Sequence, residues 1–156
     1  VTTLGYNFRI NEINSSLGLS QIKKVNKFIK KKRIIAKRYF NEMNFPEITL
    51  PSKKILKFSA LHLFIIRIDF KKLTINKYEF IKKLKKKNIL VNCHYIPLSK
   101  FKLIKKALPK KYLKNSEQYY KQAMSIPMYP DLNYLEQSYV IGVFKKLIVK
   151  YKKKIK

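Results

Sequence analysis

The sequence predicts an α+β fold, a small sheet covered by helices and preceded by a long bent helix. Three observations carry this. Apolar residues recur at three- and four-residue steps through residues 11–43 and again through 133–148. Short runs rich in Ile, Leu and Phe or other strand formers lie at residues 48–50, 60–70 and 89–95. A strand, helix, strand order with short connections is the one expected when helices pack on one sheet face.

The elements follow in order. In residues 11–43 the stripe is Ile13, Leu17, Ile22, Val25, Ile29, Ala36, Tyr39 and Met43. Asn11 can cap this helix through its side-chain oxygen, and Glu12 sits at the positive end of the dipole. Gly18 costs about 1 kcal/mol against Ala inside a helix, so a bend or a close helix contact is expected there, splitting the run in two. The cluster Lys30-Lys31-Lys32-Arg33 reads as a solvated face, and Pro46 as the stop. Residues 48–50 and 60–70 read as strands. Residues 76–87 read as a helix, with Asn76 and Glu79 at the spacing of a reciprocal cap, Phe80, Ile81 and Leu84 on its apolar side and Asn88 to end it. Residues 89–95 read as a further strand that breaks at Pro97. A Lys-rich connector, residues 101–114, leads to a short helix at 116–124 and a turn-rich segment at 126–131. The last helix is capped by Asn133 with Glu136 and carries Leu135, Tyr139, Val140, Val143, Phe144, Leu147 and Ile148 as one stripe. Residues 152–156 read as a fraying tail.

Composition narrows the function classes. An apolar fraction of 46% places this highly charged chain among globular proteins rather than disordered ones. The formal charge of +29 admits two readings. One is a basic module that binds nucleic acid or another anionic surface. The other is codon composition: the basic residues are almost all Lys, with Arg only at Arg9, Arg33, Arg38 and Arg67, and Ile, Asn, Tyr and Phe are abundant as A/T-rich codons would make them. Nucleic-acid surfaces usually use the bidentate Arg fork as well, which favours the second. The expectation is therefore no nucleic-acid partner. The apolar runs fall short of the about 20 residues of a spanning helix, so no membrane partner is expected either. One cysteine, Cys93, and no Cys/His framework leave no metal site and a cytoplasmic setting as the expectation.

Three collinear segments carry more. The first is Leu4-Gly5-Tyr6-Asn7-Phe8-Arg9-Ile10-Asn11-Glu12-Ile13, leading to Leu17-Gly18-Leu19-Ser20-Gln21-Ile22. The second is His62-Leu63-Phe64-Ile65-Ile66-Arg67-Ile68, followed after one helix by Val91-Asn92-Cys93-His94-Tyr95-Ile96-Pro97-Leu98. The third is Ser125-Ile126-Pro127-Met128-Tyr129-Pro130 ahead of a capped helix. Each is weak alone. Together they resemble the DegT/DnrJ/EryC1/StrS family of sugar aminotransferases over nearly the whole chain.

That resemblance implies the C-terminal part of a fold type I, aspartate-aminotransferase-like enzyme. Residues 1–45 would be the helical segment linking from a large cofactor domain, and residues 46–156 the small C-terminal α+β domain. It implies pyridoxal 5'-phosphate as cofactor, a 4-keto-6-deoxy nucleotide sugar and glutamate as substrates, and a homodimer with the active site at the subunit interface. Surface-glycan biosynthesis, such as that of pseudaminic acid, is the implied setting. In the family the lysine that holds the cofactor precedes the Gly-Tyr-Asn-x-Arg string. Here the string starts at Gly5, so the chain reads as a fragment, inactive alone, and no lysine in it takes a catalytic role.

The resemblance also assigns site residues. Asn7 would donate to the cofactor phosphate of the partner subunit; a turn or capping Asn is the plain alternative. Arg9 would bind the donor carboxylate or the sugar-nucleotide diphosphate, with a structural salt bridge as the alternative. His94 and Tyr95 would bind the nucleotide sugar, whereas read from the residues alone His94 is a structural histidine at a strand end. His62 reads as structural within its apolar strand, and Cys93 as buried, alternating away from His94. Tyr6, Arg67 and Tyr129 match family positions without a catalytic assignment.

Overall fold

The structure, a computed structural model, describes residues 5–6, 8–105 and 114–153. The expected bent helix is two helices, α1 (Glu12–Ile22) and α2 (Val25–Glu42). Asn11 caps α1 as read from the sequence, its Oδ1 accepting from the Asn14 amide at 2.8 Å. The break falls at Lys23 and Lys24, not at Gly18. Nothing packs near Gly18, so no close contact forces a bend there, and the helix runs on until the Lys24 amide turns back to the Gln21 carbonyl at 2.9 Å. α1 buries no side chain, whereas α2 buries Ile35, Ala36, Tyr39 and Phe40. The second helix ends at Glu42, ahead of Pro46.

Three antiparallel strands form the sheet: β1 (Ile48–Thr49), β2 (Phe64–Ile68) and β3 (Ala123–Ile126), in the order β1-β2-β3. Ile48 pairs with Ile68, and Phe64 with Ile126. In β2, Phe64, Ile66 and Ile68 are buried and Arg67 is exposed, the alternation of a strand with one covered face. A short helix α3 (Ile55–Phe58) lies between β1 and β2. Leu61, just before β2, has a positive φ of 55°. For a leucine that backbone region costs on the order of 1–2 kcal/mol, and its fully buried side chain and the bond from its amide to Ser59 Oγ at 3.0 Å hold it there.

β3 is a correction. The expected helix over 116–124 is α6 (Lys114–Gln122), and the next four residues leave it for the sheet. Ala123, Met124, Ser125 and Ile126 are all buried. A free edge on β2 and cover on both faces outweigh the local helical preference. The strand expected at 89–95 is the reverse case. Only Asn92 pairs, exchanging two backbone bonds with Ser125 at 3.1 and 2.8 Å. The Asn92 side chain accepts from the Cys93 amide at 2.8 Å, a local bond that competes with continuing the ladder.

α4 (Lys77–Lys85) and α7 (Tyr134–Tyr151) carry the reciprocal caps read from the sequence, Asn76 with Glu79 and Asn133 with Glu136. Asn88 ends the α4 segment at a positive φ of 55°, a conformation asparagine tolerates. Two groups of rings join the elements: Tyr39 and Phe40 lie 5.2 and 5.3 Å from Phe64, and Phe80 lies 5.8 Å from Phe70 and 5.7 Å from Phe144. Such pairs contribute about 0.5–1.5 kcal/mol each beyond the area they bury. The stripe of α7 is shifted from the expected one: Gln137, Val140, Ile141, Val143, Phe144 and Ile148 are buried, while Leu135 and Tyr139 face outward. Gln137 is held inside by donating to the Ile35 carbonyl at 2.8 Å.

Polar contacts fix α2 to the rest. Arg38 donates to Glu42 at 2.6 Å, to the Tyr134 carbonyl and to Ser138 Oγ, both at 2.7 Å, and lies 3.7 Å above the Tyr134 ring. The basic cluster of α2 is not simply solvated. Lys31 pairs with Asp131 at 2.7 Å, and half-buried Arg33 donates to the Lys57 carbonyl at 3.3 Å. The start of the tail is also held. Lys152 bridges Leu73 and pairs with buried Glu47 at 2.8 Å, and the Lys153 amide donates to Lys72. Residues 154–156 lie outside the described residues, as does most of the Lys-rich connector, which includes a short α5 (Lys102–Lys105). No helix among the described residues is long and apolar enough to cross a membrane.

Candidate functional site

The segment after α4, the start of β2 and the end of β3 meet at an open depression of about 550 Å3. Among the described residues its lining includes His62, Asn92, His94 and Ser125 beside apolar residues, and no lysine or arginine. In a chain of charge +29 that absence is informative. The described lining offers hydrogen-bonding side chains without the cationic donors that a phosphate would call for.

His94 is half-buried there, with its Nδ1 3.1 Å from Ser125 Oγ. Ser125 is buried in β3, and its Oγ also lies 3.1 Å from the Asn92 carbonyl, to which it donates. The Tyr95 ring stands edge-on to the His94 ring with centroids 4.8 Å apart, and Tyr95 itself is 79% exposed. The peptide joining the two is cis. The histidine is thus anchored in the lining of the depression, while the tyrosine packs against its ring from outside that lining and is exposed.

The other expected residues stand apart. Asn7 lies outside the described residues. Arg9 is exposed and makes no hydrogen bond or ion pair among the described residues, so nothing joins it to His94 or Tyr95. His62 is a correction: it lies before β2 rather than in it and is exposed on the depression. Cys93 is half-buried rather than buried, since no regular strand alternation holds it inside. Ser125 and Asn92 were not expected at the site. The available signal was a serine within the apolar run Ala123-Met124-Ser125-Ile126, where a buried hydroxyl requires a partner.

Near the depression, Tyr39 donates to the Pro127 carbonyl at 2.9 Å, and burial pushes its phenol well above the ordinary tyrosine range. Burial, then the neighbouring Glu136 carboxylate, raise Tyr129 as well. Both phenols therefore stay neutral, as structural donors. Among the described residues no group of three or more His, Cys, Asp or Glu is placed to hold a metal ion.

The chain is similar to known proteins along almost its full length. The DegT/DnrJ/EryC1/StrS aminotransferase family model matches residues 1–145. The UDP-4-amino-4,6-dideoxy-N-acetyl-beta-L-altrosamine transaminase of Campylobacter jejuni is 31% identical over 151 residues, covering 96% of this chain and 40% of that protein. The Helicobacter pylori aminotransferase PseC, involved in the biosynthesis of pseudaminic acid, superposes with a TM-score of 0.84 at 31% identity, over 97% of this chain and 41% of its own. A Streptococcus pneumoniae protein assigned as a sugar aminotransferase, solved in its PLP form, shares the fold with a TM-score of 0.82 at 23% identity, over 96% of this chain and 38% of its own. The chain thus spans about two fifths of the length of these relatives. Its sheet, its capped helices and its three sequence motifs fall in one continuous match, and the chain belongs to the DegT/DnrJ/EryC1/StrS aminotransferase family.

Proposed function

We propose that this chain is the C-terminal part of a pyridoxal-phosphate-dependent transaminase that moves an amino group from glutamate to a 4-keto-6-deoxy nucleotide sugar. The setting would be surface-glycan biosynthesis such as that of pseudaminic acid, in the cytoplasm. The observation that carries this reading is the match to PseC, which joins 31% identity to a TM-score of 0.84 over 97% of the chain. Residues 1–45 link to the larger remainder of the protein, and residues 46–156 form the small domain, with the second half of α2 docked on its core.

On this reading the cofactor, when bound, supplies the electron sink of transamination. The described residues do not by themselves fit it, since the depression offers no cation for a phosphate. The chain's contributions are binding ones. Asn7 donates to the cofactor phosphate across a homodimer interface, Arg9 pairs with an anionic group of a substrate, and His94 with Tyr95 holds the sugar. The lysine that binds the cofactor covalently belongs to the remainder of the protein. The apolar side chains that α1 leaves in solvent, among them Ile13, Leu17 and Ile22, are the surface this reading gives to that remainder and to the partner subunit.

The test joins this chain to the part of the Campylobacter jejuni relative that it does not span. The chimera is expected to aminate that enzyme's 4-keto nucleotide sugar with glutamate, the chain alone to give no turnover, and His94→Ala in the chimera to lower kcat/KM at least about tenfold, the loss of one good hydrogen bond. Turnover by the chain alone, or a chimera indifferent to His94, contradicts the reading.

A further inference from the structure

We infer that Ser125 is a positioning residue that fixes the tautomer of His94, holding the proton on Nδ1 and presenting Nε2 to the depression as a hydrogen-bond acceptor for a sugar hydroxyl. This rests on the reading of His94 as a substrate contact and adds the group it recognises.

The argument is a proton count around one buried hydroxyl. Three contacts meet there: the Ser125 amide on the Asn92 carbonyl at 2.8 Å, Ser125 Oγ on the same carbonyl at 3.1 Å, and Ser125 Oγ on His94 Nδ1 at 3.1 Å. The carbonyl has two lone pairs and no proton, so both groups that approach it must donate. The hydroxyl has one proton, and donation to Asn92 uses it. Toward His94 the oxygen then offers only a lone pair, so Nδ1 must carry hydrogen. The opposite assignment would press the hydroxyl oxygen against the carbonyl oxygen with no proton between them. Because Ser125 is 6% exposed, little water is at hand to relieve that contact.

In neutral imidazole one nitrogen donates and the other accepts, and the partner of one sets the role of the other. With Nδ1–H committed to Ser125, Nε2 keeps its lone pair. No hydrogen bond to Nε2 is made among the described residues. An unprotonated nitrogen on a depression without lysine or arginine selects a hydroxyl or N–H donor and turns away a phosphate oxygen. The tether also sets the ring's direction, because Ser125 sits in β3 while Asn92 and His94 sit on the segment that β3 meets through a single bridge.

The chain has two histidines, so in a His62→Asn background the remaining imidazole signals belong to His94. Long-range proton–nitrogen NMR spectra of the full chain, recorded above the titration of the ring, read the tautomer directly. The expected spectrum has a pyrrole-like Nδ1 and a pyridine-like Nε2. Ser125→Ala should move the proton to Nε2 or leave a mixture, and Ser125→Thr, which keeps the hydroxyl, should restore the first pattern. An Nε2–H tautomer in the parent, or a Ser125→Ala spectrum unchanged with circular dichroism intact, overturns the inference. If Ser125→Ala does not fold, the parent and Ser125→Thr spectra still decide. The spectra need no substrate, so their outcome is independent of the chimera assay. In an active chimera, Ser125→Ala should raise KM for the nucleotide sugar about tenfold, and Ser125→Thr should recover most of it.

Discussion

α1 and α7 are both capped by an asparagine in its first turn, and they behave oppositely. α7 buries six side chains, among them Gln137 on α2 and Phe144 beside Phe80 of α4; α1 buries none. Yet α1 is not a polar helix, for Ile13, Leu17, Leu19 and Ile22 all stand in solvent. At 11 residues it is also shorter than the about 12–15 at which isolated helices become marginally stable in water. A cap and a propensity define where a helix begins, and packing decides whether it persists. α7 has its packing within this chain, whereas α1 carries an apolar surface with no partner among the described residues.

Substitutions can break that contrast. The largest effect is expected for Phe144→Ala, which empties a fully buried ring site beside Phe80 and should cost about 3–5 kcal/mol in urea unfolding. Leu17→Ala in α1 should move the same transition by less than about 0.5 kcal/mol. Next is Lys152→Ala, which leaves the 3%-exposed Glu47 carboxylate without its partner and should cost about 1–3 kcal/mol. Asn133→Ala removes the α7 cap and should cost about 1 kcal/mol, while Asn11→Ala should leave the global transition in place and speed amide exchange in α1 alone. Equal effects at Asn11 and Asn133 would show that α1 folds with the core.

The smallest effect concerns acid. The hydrogen bond from Lys31 holds the Asp131 carboxyl below its ordinary range. A depressed folded value means that the contribution is present above the unfolded pKa and fades as pH falls through the folded one. Asp131→Asn should therefore lower the unfolding midpoint slightly near neutrality, flatten its acid-side slope a little and leave it unchanged at the lowest pH. A change confined to strongly acid pH would contradict the pairing.

What the sequence made legible divides along the same line. Features settled within one turn were readable: the caps at Asn11, Asn76 and Asn133 and the stop at Asn88 are contacts between near neighbours. Features settled across the fold were not. Ala123 and Met124 look helical until β2 offers an edge, and the break after α1 falls at Lys23 and Lys24 rather than at Gly18. His94 and Tyr95 stand next to each other in a motif, but the hydroxyl that meets His94 Nδ1 comes from a residue 31 positions away, and the Asn92 to Ser125 bridge joins the two segments.

The central claim is that this chain holds binding residues of a transaminase and not the lysine that carries the cofactor. Incubation with pyridoxal phosphate, borohydride reduction and peptide mass spectrometry test it most directly. The account predicts sparse labelling spread over many lysines of the chain alone and, in the chimera, one stoichiometric label on a lysine from the relative's part. Stoichiometric labelling of a single lysine of this chain would contradict it.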